Sequence, residues 1–108
     1  MPIRQISPPE LKEYLETAPN PPLIIDVREP WEFQTCHIQG AIHIPMGQIP
    51  KTYQQLDPNR EMVVMCHHGM RSLQVAQFLE KAGFSRLLNL KGGVDAWARE
   101  VDPNMPTY

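Results

Sequence analysis

Apolar residues in this chain come either in short unbroken runs or at intervals of three and four. The run at 23–27 is short and continuous rather than alternating, the pattern of a strand covered on both faces, and 42–44, 62–65 and 87–90 read as further short strands. Residues 3–6 offer a further short edge strand. Between the runs the period changes. Leu11, Tyr14, Leu15 and Ala18 recur at helical spacing behind Ser7-Pro8-Pro9-Glu10. There a serine cap, prolines with no donor to lose and a returning glutamate predict a helix start. Pro19-Asn20-Pro21-Pro22 forbids its continuation. Residues 48–56 predict a helix interrupted at Pro50. From Ser72 onward, Leu73, Val75, Ala76, Phe78, Leu79 and Ala82 form one broad apolar face that closes at Gly83, a residue suited to a C-terminal cap. Gly92-Gly93 predicts a turn, and Val94, Trp97 and Ala98 a last short helix.

Strands alternating with helices through short connections predict an α/β domain, with a mainly parallel central sheet of about five strands and helices on both faces. The 108 residues suit one domain, 1–108, with an irregular tail from about residue 102. Ten basic and twelve acidic residues leave a net charge of −2 and no basic stripe, so neither nucleic acid nor an anionic membrane is an expected partner. No apolar run approaches the ~20 residues of a spanning helix, and the first seven residues lack a leader pattern. A cytoplasmic location is the expectation. Two cysteines, Cys36 and Cys66, are too few for a disulfide framework and are expected as thiols.

Ligands of parallel sheets bind beyond the carboxyl ends of the strands. That rule selects residues 26–29, 66–72 and 91–93. Cys66-His67-His68-Gly69-Met70-Arg71-Ser72 joins an apolar run to the strongest helical pattern, so its backbone N–H groups can curl around an anion at a helix N-terminus. A free cysteine is only about 3% thiolate at pH 7, but lowering its pKa by about two units would ionise roughly three quarters of it. Arg71 adds a permanent cation with a planar donor fork suited to an oxyanion. Gly69 permits a loop conformation closed to other residues. A lone intracellular cysteine is usually a small buried hydrophobe. The glycine, arginine and helix start that follow Cys66 point instead to a nucleophile.

Four segments, in order, resemble the rhodanese family, and specifically its small single-domain sulfurtransferases. They are Leu23-Ile24-Ile25-Asp26-Val27-Arg28-Glu29 with Trp31-Glu32-Phe33, then His37-Ile38-Gln39-Gly40-Ala41-Ile42-His43-Ile44-Pro45, then the 66–72 loop, then Leu90-Lys91-Gly92-Gly93-Val94-Asp95-Ala96-Trp97. The resemblance implies a rhodanese-like domain and a ping-pong reaction. Cys66 takes a sulfane sulfur from a donor such as thiosulfate, becomes a persulfide, and passes the sulfur to a thiophilic acceptor: cyanide in an assay, a thiol or a protein cysteine in the cell. The backbone from Cys66 through His67, His68, Gly69 and Met70 to Arg71 would stabilise both the thiolate and the outer sulfur, and Arg71, with His67 or His68, would attract an anionic donor. No cofactor is implied. Phosphatases of the same fold carry five residues between cysteine and arginine; here only four intervene, and the tighter cradle suits a sulfur-sized group. Two other readings use the same cradle or fold, a persulfide relay with little thiosulfate activity and a non-enzymatic binding module. A partner protein or a second copy could complete the pocket of so short a chain.

Asp26 and Arg28 follow a buried run and are expected to support the loop, as a pair or through loop amides, with Ser72 supporting from the helix. No metal is expected, because Cys36-His37 and Cys66-His67-His68 lack recognisable ligand spacing. His37 is read as a hydrogen-bonded loop residue. Trp31 and Trp97 are read as packing residues. Cys36 stands where the family commonly has glycine, either as a tolerated substitution or as a resolving cysteine for a Cys66 persulfide. Gly92 and Gly93 either form a plain turn or bring backbone close to the active loop.

Overall fold

The computed structural model describes residues 3–108; Met1 and Pro2 lie outside the described residues. Five parallel strands form one sheet: β1 (Arg4–Ile6), β2 (Leu23–Asp26), β3 (Ile42–His43), β4 (Met62–Met65) and β5 (Leu87–Leu90), in spatial order β1-β5-β4-β2-β3. The helices are α1 (Pro8–Thr17), α2 (Pro30–Thr35), α3 (Ile49–Thr52), α4 (Met70–Lys81) and α5 (Gly93–Glu100). The α/β fold with a five-stranded parallel sheet expected from the hydrophobic pattern is therefore the observed one.

The unbroken apolar runs have their explanation in β4, whose successive side chains point to opposite faces and meet a core on each. Met62 and Val64 pack with Ile25, Ile49, Val75, Ala76 and Leu79 beneath α3 and α4. Val63 and Met65 pack with Leu11, Ile24, Leu88, Leu90, Val94 and Trp97 beneath α1 and α5. All four β4 side chains are fully buried, each contributing about 1.5–3 kcal/mol. A polar residue on either face would forfeit that burial.

At the start of α1, the Ser7 side chain accepts from the Glu10 amide, and the Glu10 carboxylate accepts from the Ser7 amide at 3.0 Å. Elsewhere the boundaries differ from expectation. Residues 48–56 are not one interrupted helix. They belong to a 3-10 turn (Met46–Gln48), α3, and a second 3-10 turn (Tyr53–Gln55), and Pro50 sits in the first turn of α3, where a missing donor breaks nothing. Helix α4 begins at Met70 rather than Ser72 and ends at Lys81, which leaves Ala82 exposed. The hydrophobic pattern does not announce α2. Its signal is local, with Pro30 in the first turn and the Glu32 carboxylate accepting from the Glu29 amide at 2.9 Å. Trp97 packs in the core, whereas Trp31 is 60% exposed and rests edge-on against Tyr108, so only one of the two tryptophans packs as expected.

Candidate active site

The chain leaves β4 at Met65, and Cys66 to Gly69 curl over the N-terminus of α4. Gly69, at φ 101°, makes that bend, in the left-handed region where a side chain is strained. Its amide donates to Cys66 Sγ at 3.0 Å, and the amides of His68 and Ser72 also point at the sulfur. The Ser72 hydroxyl lies 3.4 Å from Sγ. Burial pushes the Cys66 thiol up, but the Ser72 hydroxyl and the three amides outweigh it and hold the thiol below its ordinary value. A buried sulfur can thus carry negative charge.

Asn89 fixes the Ser72 hydroxyl. Its Nδ2 donates to Gln5 Oε1 at 3.1 Å and to the Gly69 carbonyl at 3.2 Å, which leaves Oδ1 facing Ser72 Oγ at 2.5 Å. One hydroxyl proton therefore has two claimants, Asn89 Oδ1 and an ionised Cys66. A neutral thiol can instead donate to Ser72, so the chain Cys66–Ser72–Asn89 accommodates both protonation states.

The carbonyls of the loop are held away from the sulfur by a second helix. At the N-terminus of α5, the Val94 amide donates to the Cys66 carbonyl at 2.9 Å and the Asp95 amide to the His67 carbonyl at 3.1 Å. This requires the backbone of Gly93 to lie against the loop. A Cβ on Gly93 would come within 2.4 Å of the His67 oxygen and 2.5 Å of the Cys66 oxygen. Close approach, rather than a plain turn, is what this glycine serves. With both carbonyls satisfied behind it, the loop presents donors alone to the thiol.

Two ion pairs brace the site. Arg28 and Asp26 are fully buried; Nε donates to Oδ1 at 2.9 Å and Nη2 to Oδ2 at 2.6 Å. The remaining Arg28 donors go to the carbonyls of Glu32 and Cys36 and to the Tyr108 hydroxyl, so the guanidinium is saturated within the protein. Arg71 is bidentate to Glu32, at 2.7 and 2.8 Å. The guanidinium fork offered by the loop is thus already engaged. Glu32 also accepts from Tyr108 at 2.7 Å, and Arg71 above all, followed by the Glu29 amide, holds its carboxyl down at about 2 against the opposing effect of burial.

Among the remaining predicted site residues, His67 stacks on the Tyr108 ring with centroids 4.0 Å apart, and burial together with His68 lowers its pKa. His68 is exposed and lies 3.8 Å from Asp95, a carboxylate that also meets Arg99 at 3.3 Å. The Met70 side chain is 72% exposed, and this residue brings only its backbone to the helix start. His37 is hydrogen-bonded to the Phe33 carbonyl. Cys36 adopts φ −165°, ordinary extended backbone, so no left-handed conformation is demanded where the family commonly has glycine. Its thiol is buried and free, in the core cluster opposite the one that holds Cys66.

Ligand atoms of His67, His68 and Asp95 come within 4.8 Å of one another, a potential metal group. Neighbouring ligands around zinc stand only roughly 3.3 Å apart, and Arg99 already supplies Asp95 with a cation.

Sequence reasoning assigned no site role to Glu32, Asn89 or Tyr108. Asn89 carried a signal, as the one polar residue in the run 87–90. Glu32 carried a weaker one, as an acid three residues beyond Glu29. Tyr108 carried none: the tail has no regular structure, yet its last residues lie beside Cys36, His67 and Val94.

The family model for the Rhodanese-like domain matches residues 7–100. YtwF of Bacillus subtilis (strain 168), which carries a provisional sulfurtransferase name, is 42% identical over 103 residues, covering 95% of this chain and 98% of that protein. A sulfurtransferase of Allochromatium vinosum is 39% identical over 81 residues, covering 75% of this chain and 76% of that protein. The crystal structure of a rhodanese-like domain protein from Staphylococcus aureus has a TM-score of 0.83 at 33% identity, covering 92% of this chain and 95% of that one. No helix among the described residues is long and apolar enough to cross a membrane.

Proposed function

The chain belongs to the Rhodanese-like domain family, and from that premise we propose that it is a sulfurtransferase working through a Cys66 persulfide. The observation that carries this reading is the convergence of the Gly69, His68 and Ser72 donors on one buried sulfur whose pKa they lower. The Cys66 thiolate attacks the outer sulfur of a donor such as thiosulfate. The donor's S–S bond breaks, its electron pair leaves with sulfite, and the transferred sulfur stays on Cys66 as a persulfide anion. The loop amides then face the outer sulfur, where the charge now lies. A thiolate acceptor, from a small thiol or a protein cysteine, attacks that sulfur and releases Cys66 as thiolate. No cofactor enters either half-reaction. The chemistry needs free thiols and so suits a reducing, cytoplasmic setting.

The test is the intact mass of the protein and of Cys66→Ser after excess thiosulfate or, in parallel, methanethiosulfonate, before and after cyanide. The expected result is one added sulfur on the unmodified sequence, removed by cyanide and absent from Cys66→Ser. No gain from either donor, or an equal gain in the variant, overturns the proposal.

A further inference from the structure

Among the described residues, the arginines near the Cys66 loop are each paired with a carboxylate. Arg28 is cancelled by Asp26 and Arg71 by Glu32, while Asp95 lies against Arg99 and near His68. His67 stacks on Tyr108. Arg71 is the cation of the loop itself, close enough to Cys66 to feel its charge. One hydrogen of each terminal nitrogen goes to Glu32, and that partner is fixed: the Glu29 amide and the Tyr108 hydroxyl hold the Glu32 carboxylate from two other directions. A sulfonate arriving at the loop meets a neutral pair. To use the face of the guanidinium that joins both terminal nitrogens, it must displace a carboxylate held by three partners, and on any other face it meets a cation already neutralised.

Resting on the sulfurtransferase reading, we propose that Glu32 is a specificity-determining residue that occupies the Arg71 fork and turns Cys66 toward singly charged sulfur donors, such as the persulfide of a thiol, over the thiosulfate dianion. The transfer balances for either class. Thiosulfate leaves as sulfite, and a thiol persulfide leaves as its thiolate, each taking the electron pair of the broken S–S bond. The charge that must be brought to the loop is what differs.

Two thiosulfonate-type donors isolate that difference, since methanethiosulfonate transfers the same sulfane sulfur as thiosulfate but carries one negative charge instead of two, with methanesulfinate as its leaving group. The readout is the ratio of the persulfide loading rates for methanethiosulfonate and thiosulfate, by intact mass, in the full chain. A ratio removes any general change in the reactivity of Cys66. In Glu32→Gln the amide oxygen can keep the Glu29 hydrogen bond while the charge on the fork is released. The ratio is expected to fall about tenfold, the scale of one unit charge felt across a partly exposed site, and by less at high salt. In Arg71→Gln, with Glu32 uncompensated, the ratio rises by a similar factor, so either variant tests the proposal if the other does not fold. The double variant, neutral at both positions, returns the ratio to within about twofold of its starting value. A wild-type chain that loads, with the ratio unmoved in the folded single variants, overturns the role of Glu32 and leaves the sulfurtransferase reading intact. A wild-type chain that loads from neither donor overturns both.

Discussion

Gly93→Ala separates the demand for close approach from the demand for an unusual backbone. Gly93 has φ 63°, and the left-handed region costs a residue with a side chain about 1–2 kcal/mol. The added Cβ would also sit within 2.5 Å of the Cys66 and His67 carbonyl oxygens, a distance that forces α5 and the loop apart. The separation breaks the Val94 and Asp95 hydrogen bonds to those carbonyls. Losing two bonds at a largely buried contact adds about 1–3 kcal/mol each. The total is about 3–8 kcal/mol, a large share of the ~5–15 kcal/mol that a domain of this kind possesses. Gly40 is the control. It too has a positive φ, 87°, but a Cβ there meets nothing within 4 Å, so Gly40→Ala should cost about 1 kcal/mol. Urea unfolding followed by fluorescence, with Trp97 buried as a reporter, gives both values from the midpoints. Displacing the loop also disturbs the amides around Sγ, so the pH midpoint of Cys66 alkylation should rise in Gly93→Ala and not in Gly40→Ala. Equal costs for the two variants, or an unmoved alkylation midpoint in a folded Gly93→Ala, would refute the account of α5 as the backing of the loop.

Asp26→Asn leaves the buried Arg28 cation facing a neutral amide and should cost about 3–5 kcal/mol by urea unfolding, with sulfur loading per folded molecule changed less; lost loading at an unchanged thermal midpoint would show that Asp26 is more than a support. Cys66 should alkylate at a lower pH than an ordinary thiol, with the rate rising as the pH passes through its lowered pKa, and Ser72→Ala should move that midpoint up. A midpoint that stays put would mean that Asn89 keeps the hydroxyl proton and the amides alone act. The Glu32 carboxyl titrates at about 2 in the fold against an ordinary 4.5, so the folded state binds fewer protons between those values. Its stabilisation is complete above about pH 4.5 and is lost as the pH falls through about 2, so unfolding midpoints measured from pH 6 down to pH 3 should decline less steeply in Glu32→Gln than in the unmodified chain. Parallel slopes would place the acid sensitivity elsewhere.

The hydrophobic pattern of this chain determines its fold class, because a run buried on both faces and a stripe buried on one leave different periods in the sequence. The runs at 23–27, 62–65 and 87–90 became the largely buried strands β2, β4 and β5, the segment 42–44 became the edge strand β3 with Ile42 exposed, and the stripe from Ser72 became most of α4. The glycine and helix start after Cys66 likewise announced where an anion-binding loop would lie, since a helix N-terminus exposes donors whatever packs around it. The boundaries at Pro50 and Met70 were less legible, because a proline can begin a turn as readily as end one and a glycine bend can start a helix early. What no local pattern contains is which charges meet. Glu32 and Arg71 are 39 residues apart, and Tyr108 reaches Glu32 across 76 and Arg28 across 80. Gly93 backs the loop only because β4 and β5 are neighbours and both end at the same edge of the sheet. Residue type states what a side chain can donate or accept; strand order and crossovers decide what it finds within reach. In this protein that difference turns a loop arginine available to any anion into one already held by a carboxylate.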